Sequence, residues 1–279
     1  MLQTKLFLDS ANPEETLRAK ILGLSLSGQT TNPSLVIKNP KIQKIIKQGK
    51  VSSQELMQFY KQAIIEILEI YPTLDVSVEV YADLNTTFEE MLQQAKAIDL
   101  WNLPNLRVKF PSIKNGLLAS LEYLKMGGKV NMTLIFNQFQ VAAIEKMTKQ
   151  FQTEDNIIIS PFVGRLDDIQ KNGMDLIFNI QKMLKKENSK IQILAASIRH
   201  KRHLQECLKN NVEIITAPLS ALQEIVNLDL ENIQKDKTLQ PIKYEEIDFS
   251  KDWQDLYQED DLTTKGLIKF AQDWNSVLL

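Results

Sequence analysis

A chain of 279 residues with 43% hydrophobic content can bury a sizeable core, so neither disulfides nor a structural metal is needed to fold it. Its 33 basic and 35 acidic residues are well mixed and leave a net charge of −2, which argues against a nucleic-acid surface. A single cysteine, Cys207, excludes a disulfide framework; no apolar run approaches a membrane span and Met1 to Lys5 lead into no signal peptide, so a cytoplasmic protein without membrane or nucleic-acid partners is expected.

Lys5 to Asp9 reads as a first strand, and Asn12-Pro13-Glu14-Glu15 then supplies an N-cap, a proline at the first helical position and acids in the first turn. Ser27 to Asn32 reads as a second strand, with Asn32-Pro33 opening its helix in the same manner. Leu56, Phe59, Ala63, Ile67 and Ile70 recur mostly three or four apart and predict a helix over 52–71. Asp75 to Tyr81 is the third strand and Thr86 to Trp101 its helix; Leu106 to Pro111 is the fourth, followed by a helix that stops at Gly127-Gly128. Lys129 to Phe136, Asn156 to Val163, Gln192 to Ile198 and Val212 to Pro218 complete eight strands, each followed by a helical pattern.

Such alternation implies right-handed crossovers and a parallel sheet. Eight units in this length predict an α/β chain folded as one (β/α)8 TIM barrel, domain 1–279, with no Gly-x-Gly-x-x-Gly to support a dinucleotide fold. Residues 229–261 read as a polar surface excursion, through Lys235-Asp236-Lys237 and Tyr244-Glu245-Glu246. It leads into an extra C-terminal helix over 262–279, whose Leu267, Phe270, Trp274 and Leu278 form an apolar docking face.

In the fourth strand Val108 and Phe110 face one way and Arg107 and Lys109 the other. Should the second face line a closed sheet, Lys109 is partly desolvated, which disfavours an ammonium and leaves more free amine to attack a carbonyl. The plainer alternative is a lysine at a strand end with its head in water. The carboxyl ends of barrel strands carry the working groups, and here they supply Asp9, Asn32, Glu79, Lys109, Asn131, Thr133, Ser160, Ser197 and Arg199, with Arg165 just beyond strand six. Each has a simpler role open to it: Asn32 as an N-cap, Asp9 and Ser160 in turns, Arg165 in a surface ion pair with Asp167 or Asp168. His200 and His203, three apart, lack a placed carboxylate or thiol to complete a metal site, and Cys207 reads as buried.

Seven blocks together resemble the transaldolase family: Leu8-Asp9-Ser10-Ala11, Thr30-Thr31-Asn32-Pro33-Ser34-Leu35, Val78-Glu79-Val80, Val108-Lys109-Phe110-Pro111, Asn131-Met132-Thr133-Leu134-Ile135-Phe136, Ser160-Pro161-Phe162-Val163-Gly164-Arg165 and Ala196-Ser197-Ile198-Arg199. They come in the family's order over residues 5 to about 220, and Leu262 to Trp274 is similar to its last helix. The resemblance implies an enzyme without cofactor or metal. Such enzymes move a dihydroxyacetone unit from a ketose phosphate to an aldose phosphate, as in the pentose phosphate reaction of sedoheptulose 7-phosphate with glyceraldehyde 3-phosphate to give erythrose 4-phosphate and fructose 6-phosphate. By the same resemblance Lys109 is the Schiff-base lysine, and Asp9 and Glu79 are the acid/base carboxylates. Asn32, Asn131, Thr133 and Ser160 hold the dihydroxyacetone hydroxyls or a water, and Arg165, Ser197 and Arg199 take the phosphate.

A sister branch, the fructose 6-phosphate aldolases, shares the fold and lysine but releases dihydroxyacetone. It looks to carry Gln at the position of Glu79 and Tyr at that of Phe162, so both positions side with transfer. Phe110 departs from the Ile, Val or Leu usual after the lysine, a change expected to affect packing outside the barrel. A catalytically silent sugar-phosphate-binding barrel is the alternative of another class, and a homo-oligomer stays open.

Overall fold

Short, largely buried runs, several of them rich in Val and Ile, form the strands of the computed structural model, which describes residues 4–234 and 236–279. Met1 to Gln3 and Lys235, both used in the sequence reading, lie outside the described residues. The strands are β1 Lys5–Asp9, β2 Leu26–Thr30, β3 Asp75–Glu79, β4 Leu106–Pro111, β5 Val130–Ile135, β6 Ile157–Pro161, β7 Gln192–Ala195 and β8 Ile214–Ala217. They pair in chain order, all parallel, and β1 pairs with β8, so the sheet closes into the (β/α)8 barrel that the alternation predicts.

The helices are α1 Pro13–Ile21, α2 Pro33–Lys38, α3 Pro40–Ile46, α4 Ser53–Ile70, α5 Phe88–Asp99, α6 Lys114–Lys125, α7 Gln138–Thr148, α8 Val163–Asp167, α9 Gly173–Lys186, α10 Lys201–Lys209, α11 Leu219–Leu222, α12 Trp253–Leu256 and α13 Asp261–Asn275. Among the described residues no helix is long and apolar enough to cross a membrane. The predicted starts hold: the Asn12 side chain accepts from Glu14 N, and Ser52 and Glu55 form a capping box for α4.

Several strands end earlier than the sequence suggests, for identifiable reasons. β2 stops at Thr30 because Asn32 has already turned to cap α2, its side chain accepting from Leu35 N at 2.9 Å. β7 stops at Ala195, and Ser197 (φ 59°) lies in the left-handed region that a strand cannot contain. A register shift between Met132 and Ile135 marks a bulge in β5, where Leu134 also has positive φ (59°).

Inward positions are filled rather than hollow. Gly28 on β2 has no side chain because the Phe7 ring occupies that space: a Cβ there would lie 2.4 Å from the ring. Arg107, fully buried, closes the amino-terminal end by pairing with Asp75 at 2.6 Å and donating to the carbonyls of Val130 and Asp155. Phe110 points outward, its ring 5.9 Å from Tyr123 of α6.

The tail is less polar in place than in sequence. Ile242, Tyr244, Ile247, Phe249 and Trp253 are partly buried against the core, and the Glu245 backbone both donates to and accepts from the Gln138 side chain of α7. This strap delivers α13 to the barrel mouth. There Thr263 donates to Leu134 O at 2.8 Å, and Gly266 permits close approach, since a Cβ would lie 2.6 Å from Leu134. Leu267, Phe270 and Trp274 are buried, each contributing roughly 1.5–3 kcal/mol by leaving water. Beyond the helix, Val51 N donates to Val277 O and Leu279 N to Val51 O, both at 3.0 Å.

Candidate active site

Register sets the centre of the site. Glu79 of β3, Lys109 of β4 and Asn131 of β5 are successive partners across the sheet, so their side chains share the inner face. Lys109 is 3% exposed; its Nζ lies 2.9 Å from Glu79 Oε2 and donates to Thr31 O at 3.2 Å. Asn131 donates to Ser77 Oγ at 3.1 Å and accepts from Ser160 Oγ at 2.7 Å. Two buried atoms here, Glu79 Oε2 and Thr133 Oγ1, have no aligned hydrogen-bond partner among the described residues. Glu79 Oε2 is instead neutralised by the Lys109 amine at 2.9 Å, which leaves the Thr133 hydroxyl as the group without a partner.

Asp9 sits on the other side of the mouth. Its Oδ1 accepts from Thr30 Oγ1 at 2.7 Å, and Thr30 in turn meets Thr216 of β8 at 2.6 Å. Burial pushes the Asp9 carboxyl above its ordinary value, against the opposing pull of the Lys109 ammonium and the Thr30 hydrogen bond. Burial likewise raises Glu79, again opposed by Lys109. Two carboxyls that favour the proton, flanking one amine, form a set suited to moving protons.

The third edge comes from the β6–α8 and β7–α10 junctions. Gly164 lets them meet: a Cβ there would lie 2.2 Å from Ser197 O and 2.4 Å from Arg199 Cγ. Val163 N and Gly164 N donate to Ala196 O and Ser197 O at 3.0 and 3.1 Å. Arg199 pairs with Asp168 at 3.0 Å, and Asp167 is taken by Arg202 and His203. Arg165 therefore has neither of the aspartates its sequence neighbourhood offered, and it makes no ion pair among the described residues. Phe162 packs edge-on to Phe136 with centroids 5.7 Å apart.

One cavity of about 330 Å³ unites these edges. Asp9, Asn32, Lys109, Ser160, Phe162, Arg165, Ser197 and Arg199 line it, while Glu79, Asn131 and Thr133 stand behind Lys109 and Ser160 in the barrel wall. A larger cleft of about 510 Å³ beside α5 holds none of the expected residues and no amine. The smaller cavity carries five cationic side chains (Lys38, Lys109, Arg165, Arg199 and Lys269) against the carboxylates of Asp9 and Asp273. In a chain of net charge −2, that local excess suits an anionic ligand.

Sequence reasoning missed several contributors. Tyr60 of α4 is 1% exposed; its hydroxyl accepts from Glu79 N at 3.1 Å and hydrogen-bonds Thr31 Oγ1, so it braces both partners of the Lys109 amine. The signal was a phenol at the four-residue spacing after Leu56, inside an otherwise apolar stripe. Lys38, Lys269, Phe270 and Asp273 also reach the cavity, from α2 and α13; Ser34 bonds Asp273, which pairs with Lys269 at 2.6 Å. The helical spacing of Lys269 and Asp273 was visible, but not that α13 roofs the mouth. Asp167 is the carboxylate that the sequence failed to place beside His203.

The fold and the cavity together define a barrel enzyme whose polar groups gather at the carboxyl ends of its strands. A family described as Transaldolase/Fructose-6-phosphate aldolase matches residues 6–279. Among curated proteins, a probable transaldolase of Bacteroides thetaiotaomicron is 34% identical over 239 residues, covering 86% of this chain and 98% of that one. A probable transaldolase of Dehalococcoides mccartyi is 32% identical over 275 residues, covering 98% and 99%; one of Cytophaga hutchinsonii is 33% identical over 223 residues, covering 80% and 90%. The chain belongs to the transaldolase/fructose-6-phosphate aldolase family.

Proposed function

We propose that the protein is a transaldolase working through a Schiff base at Lys109, transferring a dihydroxyacetone unit between ketose and aldose phosphates. The observation that carries this reading is the buried Lys109 amine, held 2.9 Å from Glu79 inside a cation-rich cavity that also contains Asp9. The amine adds to the C2 carbonyl of sedoheptulose 7-phosphate or fructose 6-phosphate, and loss of water gives an iminium. Asp9 takes the C4 hydroxyl proton; the C3–C4 bond breaks, its electron pair passes into the iminium as an enamine, and the aldose phosphate leaves. Glyceraldehyde 3-phosphate or erythrose 4-phosphate then accepts the enamine carbon, and water releases the new ketose. Glu79, ion-paired to the amine, relays protons through a water that Thr133 helps to hold. Asn32, Asn131 and Ser160 hold the dihydroxyacetone hydroxyls, and Arg165, Ser197 and Arg199 the phosphate, where the planar guanidinium fork matches the anion.

Transfer is favoured over release of dihydroxyacetone because Phe162 brings no hydroxyl to protonate the enamine. We further infer a place in cytoplasmic sugar-phosphate metabolism, in keeping with the single buried thiol. Borohydride added with fructose 6-phosphate, followed by intact mass, should show one reduced dihydroxyacetone adduct on the native chain and none on Lys109→Met. A silent binding barrel would show none on either. A coupled assay with erythrose 4-phosphate, run beside one for free dihydroxyacetone, separates transferase from aldolase.

A further inference from the structure

His203 lies on the first turn of α10, is fully buried, and lies outside the cavity lining. Both ring nitrogens are engaged. Nδ1 accepts the backbone N–H of Arg199 at 3.3 Å, which places the ring proton on Nε2, where it is donated to Asp167 Oδ2 at 2.8 Å. Asp167 is the last residue of α8, the short helix carrying Arg165; its Oδ2 also accepts from Arg202 at 2.6 Å and its Oδ1 from Gly173 N at 2.9 Å. One imidazole thus bridges the two segments that bring guanidinium groups to the cavity, and its two hydrogen bonds run one to each.

We propose that His203 is a positioning residue that fixes the Arg199 turn against the Arg165 helix and thereby sets the affinity of the cavity for the phosphate of its substrate. The inference rests on the transaldolase reading for the identity of that phosphate. The geometry supplies the reason a bridge matters here. Backbone bonds from Val163 and Gly164 fix the turn as far as Ser197, but beyond it Arg199 is half-exposed, its guanidinium held only by a solvent-accessible ion pair with Asp168. Such a pair contributes little and yields to salt. The buried His203 bond to Arg199 N anchors the backbone instead, and two guanidinium groups bind one anion well only at a fixed separation.

Two isosteres separate the arms of the bridge. In His203→Asn the side-chain oxygen can occupy the Nδ1 position and keep the Arg199 contact while losing Asp167. In His203→Gln the terminal amide nitrogen reaches the Nε2 position and keeps Asp167 while losing Arg199. The expected result is a KM for fructose 6-phosphate raised about tenfold in His203→Gln with kcat little changed, the size of effect one lost hydrogen bond gives, and a near-native KM in His203→Asn, where Arg202 still ties α10 to Asp167. Borohydride trapping with dihydroxyacetone, which has no phosphate, should be equal in all three proteins. Stabilisation of the native chain against heat by inorganic phosphate should be matched in His203→Asn and should need about tenfold more phosphate in His203→Gln.

Equal KM values in both variants and the native chain, equal loss of dihydroxyacetone trapping in both, or failure of both to fold would each overturn the positioning role. A native chain that traps neither sugar but is stabilised by phosphate in the expected order sinks the transaldolase reading and leaves the role of His203 standing.

Discussion

Lys109 and Glu79 are register partners on adjacent strands, and their heads meet at 2.9 Å without an aligned hydrogen bond reaching Glu79 Oε2. The carboxylate holds the amine by charge, and both heads are almost fully withdrawn from water. Replacing Lys109 by Met keeps the length of the side chain and removes the amine to which the Schiff base is assigned under the proposed function. Glu79, already raised by burial, can then take a proton instead of remaining as an unpaired buried charge. We expect Lys109→Met to fold, by its circular dichroism and melting curve, and to show no turnover; more than trace activity refutes the assignment.

Tyr60→Phe tests the brace behind that pair. The ring keeps its neighbours Trp101 and Trp274, with centroids at 6.0 and 6.3 Å, while Glu79 N and Thr31 Oγ1 lose their hydroxyl partner. Leaving a buried donor unpaired costs about 1–3 kcal/mol, and denaturant titration should read a loss in that range. Turnover should fall about tenfold at nearly constant KM, since the amine and its carboxylate are misaligned and the anion pocket is untouched. An unchanged kcat would confine Tyr60 to stability.

Phe162→Tyr introduces a hydroxyl into the cavity lining. If that position decides the fate of the enamine, the ratio of free dihydroxyacetone to transfer product should rise, measured with fructose 6-phosphate in the presence and absence of acceptor. A ratio equal to that of the native protein counts against the role given to Phe162.

Asp9 and Glu79 both have carboxyls raised by burial above their ordinary values of 3.8 and 4.5. Between those values and the raised ones, the folded chain keeps protons that the unfolded chain has released, so stability falls as pH rises through the window. Asp9→Asn should flatten part of that slope and make the protein more stable at neutral pH, as seen in melting curves across pH. The same change should lower turnover about 10²- to 10⁴-fold, the usual contribution of a general acid or base. A steeper slope in Asp9→Asn would reverse the sign argued here.

The barrel was legible because its signals are local. Caps such as Asn12 and Ser52, and the β-branched runs between them, specify each unit without reference to the rest. The ends of strands were legible as a set of residue types, since Asp9, Glu79 and Lys109 fall at one end of any such barrel. What escaped depends on contacts distant in sequence. The Tyr60 hydroxyl meets Thr31 and the Glu79 amide, α13 meets Leu134 and Ser34, and the residues after α13 meet Val51; no periodicity encodes those distances. Strand ends were overrun at Asn32 and Ser197, where capping and left-handed backbone overrule the propensity of the neighbouring residues. The tail is exposed for most of its length, but the partial burial of Ile242, Tyr244, Ile247 and Phe249 and the bonds from Gln138 of α7 and Asn179 of α9 are not written in any sequence period.

The manner in which α13 is tied down has a practical consequence. Its bonds to Leu134 and Ser34, and those of the residues after it to Val51, are independent of the covalent link that runs back through the strap. A protease cutting among the exposed residues Asp236, Lys237 and Thr238 would leave two polypeptides that migrate apart only after denaturation, with the roof still seated and the chemistry beneath it intact.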